Sequence, residues 1–186
     1  IKNLIPFIRN IDAKKSLVLI LALIFLDQVV KFYIKLNYPL SVFGESPIID
    51  IGFFKLLFVE NKGMAMGARL NSLLPFLNDN SAKLILTLFR IVAIGFIFFW
   101  LKQSIKNGLK NINSIVLSLI LAGAIGNAID SIFYGYIFTD SYFKVATLSV
   151  GNGYESLFHG SVVDMFQFPM FEWTWPDWLP IVGGEN

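Results

Sequence analysis

The residues of this chain that could do chemistry are carboxylates and amides set in apolar sequence. Asp164 stands in Gly160-Ser161-Val162-Val163-Asp164-Met165-Phe166, an acid among Val, Met and Phe. A carboxylic acid in apolar surroundings keeps its proton at neutral pH and can give it to a carbonyl oxygen, and that is the chemistry expected of Asp164. A solvated acid at a membrane rim is the plainer reading of the same residues. Asn61 and Gly63 belong to Glu60-Asn61-Lys62-Gly63-Met64-Ala65-Met66-Gly67, where glycines and an alanine let the backbone approach a ligand. Asn61 offers both a donor and an acceptor, which suits gripping a substrate peptide bond, although an ordinary turn explains Asn and Gly equally well.

Two further pairs have helical spacing. Asn127 and Asp130 are three residues apart, just past the small residues Gly123, Ala124 and Gly126, so both project on the face that meets other helices. Interhelical hydrogen bonding and catalysis are both open to them. Asp27 and Lys31, with Gln28 between, lie one turn apart, a spacing that a purely structural ion pair would also use. Other chemistries are excluded. The chain has no Cys, so thiol nucleophiles, cysteine-bound zinc and disulfides are ruled out, and its one His, His159, cannot make a two-His metal motif. No nucleophile elbow frames Ser156 or Ser161 beside His159, which argues against a serine hydrolase. No metal and no cofactor are expected.

The elements that must carry these residues are membrane spans. Of 186 residues, 55% are hydrophobic and only 15% charged, with 19 Phe, a composition that suits a surface solvated by lipid. A net charge of +2, with no basic stripe interleaved with aromatics, sets nucleic acid aside. The first apolar run, from Ser16 to Leu26, follows Lys2, Arg9, Lys14 and Lys15, as a secretory signal would. It lacks a small-residue cleavage pattern and continues to Ile34, so it is read as a retained span. A second span is expected from about Lys83 to Leu101, carrying Arg90 and ending in Phe98, Phe99 and Trp100, and a third from about Asn113 to Ile132. Lys102, Lys106 and Lys110 fill the connection between them without an acid, which places that loop and the N-terminus in the cytoplasm. Segments 37–82 and 133–186 then face outward, the latter holding Asp140, Glu155, Asp164, Glu172, Asp177 and Glu185 against Lys144. Ile48 to Val59 reads as strand. Ionisable groups inside a span cost several kcal/mol unless paired or hydrated, so Asp27, Lys31 and Asp130 need partners or a function, and the amide of Asn127 needs hydrogen-bond partners.

Taken in order, these segments resemble the bacterial lipoprotein signal peptidase family, also called signal peptidase II. Asp27-Gln28 with Lys31 is similar to its first block, and Asn61-Lys62-Gly63-Met64-Ala65-Met66-Gly67 to its Asn-x-Gly block, with Met66 where Phe is usual. Gly123-Ala124-Ile125-Gly126-Asn127-Ala128-Ile129-Asp130 resembles the third block and Val162-Val163-Asp164 the fourth. The resemblance implies an all-α polytopic membrane helix bundle, three spans here and four in the full protein, with a small β-cradle on the outer face. Residues 1–186 would be a single membrane-embedded peptidase domain lacking its C-terminal helix, with an outer β segment at 37–82. The stretch 133–160 would be an outer flap, made mobile by Gly151-Asn152-Gly153.

The resemblance further implies an aspartic endopeptidase of the bacterial cytoplasmic (inner) membrane, with its active site at the outer face. Such an enzyme removes the signal peptide from diacylglyceryl-modified prolipoproteins, cutting N-terminal to the lipidated cysteine. Its expected partners are that substrate, membrane lipid and a globomycin-type peptide inhibitor. Asp164 is then one catalytic carboxylate, and the second catalytic Asp is expected C-terminal to Asn186. Asn61, Gly63 and Asn127 would hold the substrate or the carboxylates, and Asp27, Gln28, Lys31 and Asp130 would support the site. Two departures stand out: Ser131 occupies the place where the family usually has Arg, and the Phe-Asn-x-Ala-Asp block is absent from 1–186. The rival class is an ion-coupled membrane transporter or carrier, whose site would lie near the bilayer midplane. Asn61, Asp130 and Asp164 instead fall at or beyond the outer end of a span. A non-catalytic membrane scaffold is the third class.

Overall fold

Three apolar stretches fold as helices long enough to cross a bilayer, as hydropathy requires. In the computed structural model, residues 12–41, 47–63, 70, 74, 76–108 and 111–169 are described. Lys2, Arg9, Lys110, Glu172, Asp177, Glu185 and residues 64–67 of the glycine-rich segment lie outside them. Helix α1 covers Ala13–Asn37, α2 Asp79–Lys106 and α3 Asn111–Ile129. The third spanning stretch continues to Ile137 through a π-helical turn, Asp130–Tyr134. Both α1 and α2 start earlier than their apolar runs because polar side chains cap them. Asp12 Oδ1 accepts the Lys15 N–H at 2.8 Å, and Asn78 Oδ1 accepts the Ser81 N–H at 2.8 Å. Leu21, Phe25, Phe89, Val92, Phe96 and Phe99 point outward along α1 and α2, as a lipid-solvated helix demands.

The chain divides into two compact units, Ile1–Phe32 with Leu88–Ile129, and Tyr33–Thr87 with Asp130–Asn186. In the first unit, Ile20, Leu101, Leu117, Leu121 and Ala122 form a buried core. Ser104 Oγ meets Ser114 Oγ at 3.3 Å, two buried hydroxyls that satisfy each other where water is excluded. The small-residue run on α3 behaves unevenly. Gly126 has the Asp27 carboxylate where a Cβ would stand, whereas Gly123 faces open space.

In the second unit a three-stranded antiparallel sheet runs in the order β1 (Ile49–Asp50), β2 (Lys55–Asn61), β3 (Val162–Gln167). The single strand expected from Ile48 to Val59 is therefore a hairpin. Gly52, at a φ of 80°, takes a left-handed turn that other residues adopt with strain, and the chain folds back so that Ile49 pairs with Leu56. The Gly52 N–H bonds Asp50 Oδ1 at 2.9 Å; that bond, helped by Lys55 at 3.3 Å, draws the Asp50 carboxyl below the usual carboxylate range. Strand β2 then continues two residues beyond Val59, to Asn61.

The segment 138–160 is bonded along its length to the end of the third span. Ser149 bonds with Ile137, Glu155 with Gly135, Phe158 with Ile132 and Gly160 with Ser131, while Thr139 with Thr147 and Tyr154 with Phe138 close the segment on itself. Its glycines serve close approach: a Cβ on Gly153 would overlap the Gly135 carbonyl, and one on Gly160 the carbonyl of Asp130 and the Gly135 nitrogen. Since those obstacles are backbone atoms that cannot rotate away, Gly160→Ala should destabilise the protein by about 1–3 kcal/mol. Thermal unfolding in detergent measures this, and an unchanged midpoint would mean that Gly160 does not pack here.

Candidate active site

The expected site residues fall into two groups, one in each unit. In the first, Lys31 is buried and divides its ammonium between Asp27 Oδ2 and Asn127 Oδ1, each at 3.1 Å. Gln28 Nε2 donates to Asp27 Oδ2 at 3.1 Å and to the Gly126 carbonyl at 3.4 Å. The i, i+4 pair is thus real, and Asn127, through its side-chain oxygen, ties α3 to it. Gly126 is the residue whose missing side chain leaves room for the Asp27 carboxylate. A pocket lined by Leu23, Asp27 and Gly123 opens beside the pair.

In the second unit the sheet gathers Asn61, Gly63, Asp130 and Asp164. Strand register opposes Asn61 to Val162 and Asp164 to Val59, so Asn61 and Asp164 lie diagonally on one face. Asn61 Nδ2 donates to Asp164 Oδ2 at 3.1 Å, and Asn61 Oδ1 accepts the Gly63 N–H at 2.8 Å. That second bond is the two-residue Asx turn that Asn supports, and it fixes which end of the amide faces the carboxylate. Of the two parts expected of Asn61, holding the substrate or the carboxylates, the hydrogen bond to Asp164 corresponds to the second.

Asp164 is not buried among its apolar sequence neighbours, as the sequence led us to expect. Successive residues of a strand point to opposite faces, so Val163 and Met165 are buried while Asp164 and Phe166 are exposed. Asp130, in contrast, is fully buried in the π-helical turn, and its Oδ2 accepts the Val163 N–H at 3.1 Å. Strand β3 is an edge strand, and this carboxylate answers an N–H on it. Beside Gly63 lies a cavity of about 260 Å³ with a polar lining that includes Lys62, Asp79, Lys83, Glu155 and His159. Lys83 Nζ donates to the Lys62 carbonyl at 3.1 Å, and Thr87 Oγ1 to the Phe158 carbonyl at 2.9 Å, so the first turns of α2 hold both walls.

Behind the sheet is a charged cluster that sequence reasoning missed. Lys35 is completely buried and bonds Glu60 Oε1 and, at 2.9 Å, Ser141 Oγ. Ser141 Oγ donates to the same Glu60 oxygen at 3.0 Å. The ammonium also lies 5.6, 5.3 and 5.0 Å from the ring centres of Phe58, Phe138 and Tyr154. Burial, with Glu60 adding its negative charge, pushes the Tyr154 phenol well above its ordinary value, so it stays a neutral hydroxyl, and that hydroxyl accepts the Ser161 N–H at 2.7 Å. The signal in the sequence was one more step of the same spacing, Asp27, Lys31, Lys35, together with an acid inside an apolar strand.

A model of the family described as signal peptidase (SPase) II matches residues 19–147. The chain belongs to that family. The matched range takes in Asp27, Lys31, Asn61, Asn127 and Asp130 and stops short of Asp164, which follows the long 138–160 connection. Among curated relatives, a lipoprotein signal peptidase of Porphyromonas gingivalis is 46% identical over 170 residues, covering 90% of this chain and 69% of its own length. One from Syntrophus aciditrophicus is 35% identical over 169 residues, covering 83% of this chain and 96% of its own length. A solved structure described as a bacterial membrane enzyme shares the fold, with a TM-score of 0.51 at 22% identity over 90% of this chain and 78% of that one. A signal peptidase II chain is a protease, and the three spans make this one a multi-pass membrane protein.

The hold of Asp130 on the edge strand can be read by substitution. Asp130→Ala leaves the Val163 N–H without its acceptor in a dry place and should cost about 1–3 kcal/mol, whereas Asp130→Asn keeps an oxygen there and should cost less. Unfolding midpoints of the two variants, compared with the parent, measure the difference; equal midpoints for Ala and Asn would mean that the bond contributes nothing.

Proposed function

We propose that this chain belongs to a membrane-embedded aspartic endopeptidase that removes the signal peptide from diacylglyceryl-modified prolipoproteins, cutting N-terminal to the lipidated cysteine. The observation that carries the reading is Asp164, an exposed carboxylate on the sheet face, oriented by Asn61 in a chain of the signal peptidase II family. A hydrolytic carboxylate must reach both water and substrate, and exposure on a fixed strand gives that access. The polar cavity beside Gly63 would receive the part of the precursor next to the scissile bond. A globomycin-type peptide is expected to compete for the same place.

Two carboxylates that share one proton perform the reaction. The ionised member takes a proton from water, whose oxygen attacks the scissile carbonyl carbon, while the protonated member gives its proton to the carbonyl oxygen. Collapse of the tetrahedral intermediate breaks the C–N bond, and a proton passes to the leaving amine, which becomes the new N-terminus on the lipidated cysteine. Asp164 is one member. The other is proposed to come from the Phe-Asn-x-Ala-Asp block that the family resemblance implies and that does not occur in 1–186. Asp130 is assigned a supporting part, since it is buried and holds a backbone N–H. The Asp27, Lys31 and Asn127 group is assigned the same kind of part, joining α1 to α3.

The residues 1–186 are read as one membrane-embedded peptidase domain of the bacterial cytoplasmic membrane. The site would open at its outer face, where segments 37–82 and 133–160 form the β-cradle and the flap. Positive charge in the 102–110 connection supports that orientation. Asp164→Asn in the complete enzyme should insert normally and lower cleavage of lipid-modified precursor by about 10²–10⁴-fold. A gel assay of precursor and mature lipoprotein in proteoliposomes reads this, and undiminished turnover would overturn the assignment.

A further inference from the structure

The buried cluster behind the sheet has no part in the chemistry just described, yet its placement bears on it. Register pairs Glu60 with Val163, each one residue from Asn61 and Asp164 respectively. Alternation therefore puts Glu60 and Val163 on the face opposite to the one that carries Asn61 and Asp164. Both members of this rear pair are gripped: the Glu60 carboxylate by Lys35 and Ser141, and the Val163 N–H by Asp130. The Ser161 N–H, just before β3, is held by the Tyr154 hydroxyl, whose ring also packs against the Lys35 ammonium.

A buried ion pair is a poor source of net stability, because taking both charges out of their solvent costs about as much as their attraction returns. It does fix geometry. Lys35, Glu60 and Ser141 close a triangle in which each polar group touches the other two, and three aromatic rings fill the space around the ammonium. Few other arrangements satisfy both charges, so the end of β2 has one position. Asp130 and Tyr154 steady β3, an edge strand, and the triangle does the same for the end of β2, whose pairing with β3 is interrupted between Leu56 and Val59.

We propose that Lys35 and Glu60 are positioning residues for the reaction: locked behind the sheet, they fix the strand pair that presents Asn61 and Asp164 in front. The inference rests on Asp164 being a catalytic carboxylate.

The test uses the complete enzyme in proteoliposomes with lipid-modified precursor, comparing Lys35→Met/Glu60→Gln, Lys35→Arg and Asp164→Asn. Removing both charges together avoids stranding one of them. The double variant is expected to insert, to lose about tenfold in kcat with KM within about twofold, and to show faster hydrogen exchange at 55–61 and 162–167. Lys35→Arg, which keeps the charge, is expected to return kcat to within about threefold of the parent. Parental kcat in the double variant overturns the proposal, as does a loss confined to KM or one without faster exchange in the two strands. If the double variant does not insert, Ser141→Ala replaces it, removing one bond to the same oxygen; an expected kcat loss of about threefold with faster exchange supports the proposal and parental values of both overturn it. Continued cleavage by Asp164→Asn would instead remove the catalytic reading of that residue, while the exchange data still report whether the triangle holds the sheet.

Discussion

Wherever this chain buries a charge, it has to supply the answering group from its own side chains or main chain, because lipid offers none. That constraint organises both compact units. Along α1 the residues Asp27, Lys31 and Lys35 recur every fourth position. Each lysine ends on an oxygen from another element, Asn127 for Lys31 and Glu60 for Lys35. Within the first unit Lys31 ties α1 to α3, and within the second Lys35, in the last turn of α1, is tied to β2. Asp164, exposed on β3, lies outside the spans.

Much of this was legible in the residues. Apolar run length fixed three spans, and four short segments in order pointed to the signal peptidase II family, to which the chain belongs. The i, i+4 spacing of Asp27 and Lys31 was a real ion pair, and Asn61, Asp130 and Asp164 do meet around one sheet. Helix starts were less legible. Hydropathy sees where apolar residues begin, and Asp12 and Asn78, which start α1 and α2, are polar.

The less legible features depend on register and on partners distant in sequence. Asp164 looks buried when read along the chain, because Val, Met and Phe surround it; across a strand, only every second residue shares its face. The expected strand from 48 to 59 hides a turn at Gly52 that a run of β-favouring residues conceals. Lys35 and Glu60 were overlooked because neither sits in a recognisable block, and their partner Ser141 lies 81 residues beyond Glu60. Gly153 abuts the Gly135 carbonyl, a contact between residues 18 apart that spacing along the chain does not disclose.

The π-helical turn at Asp130–Tyr134 has a consequence for how such a chain can vary. At this widened turn the carbonyls of Ser131 and Ile132 receive the N–H groups of Gly160 and Phe158. A returning loop is thereby moored through main-chain atoms, which every amino acid possesses. What comes between is then constrained by its packing and not by its ends: Phe138, Ser141 and Tyr154 close around the Lys35 ammonium, and Gly153 lies against the Gly135 carbonyl. Elsewhere the loop can change in size without disturbing the acid that the same turn holds inside.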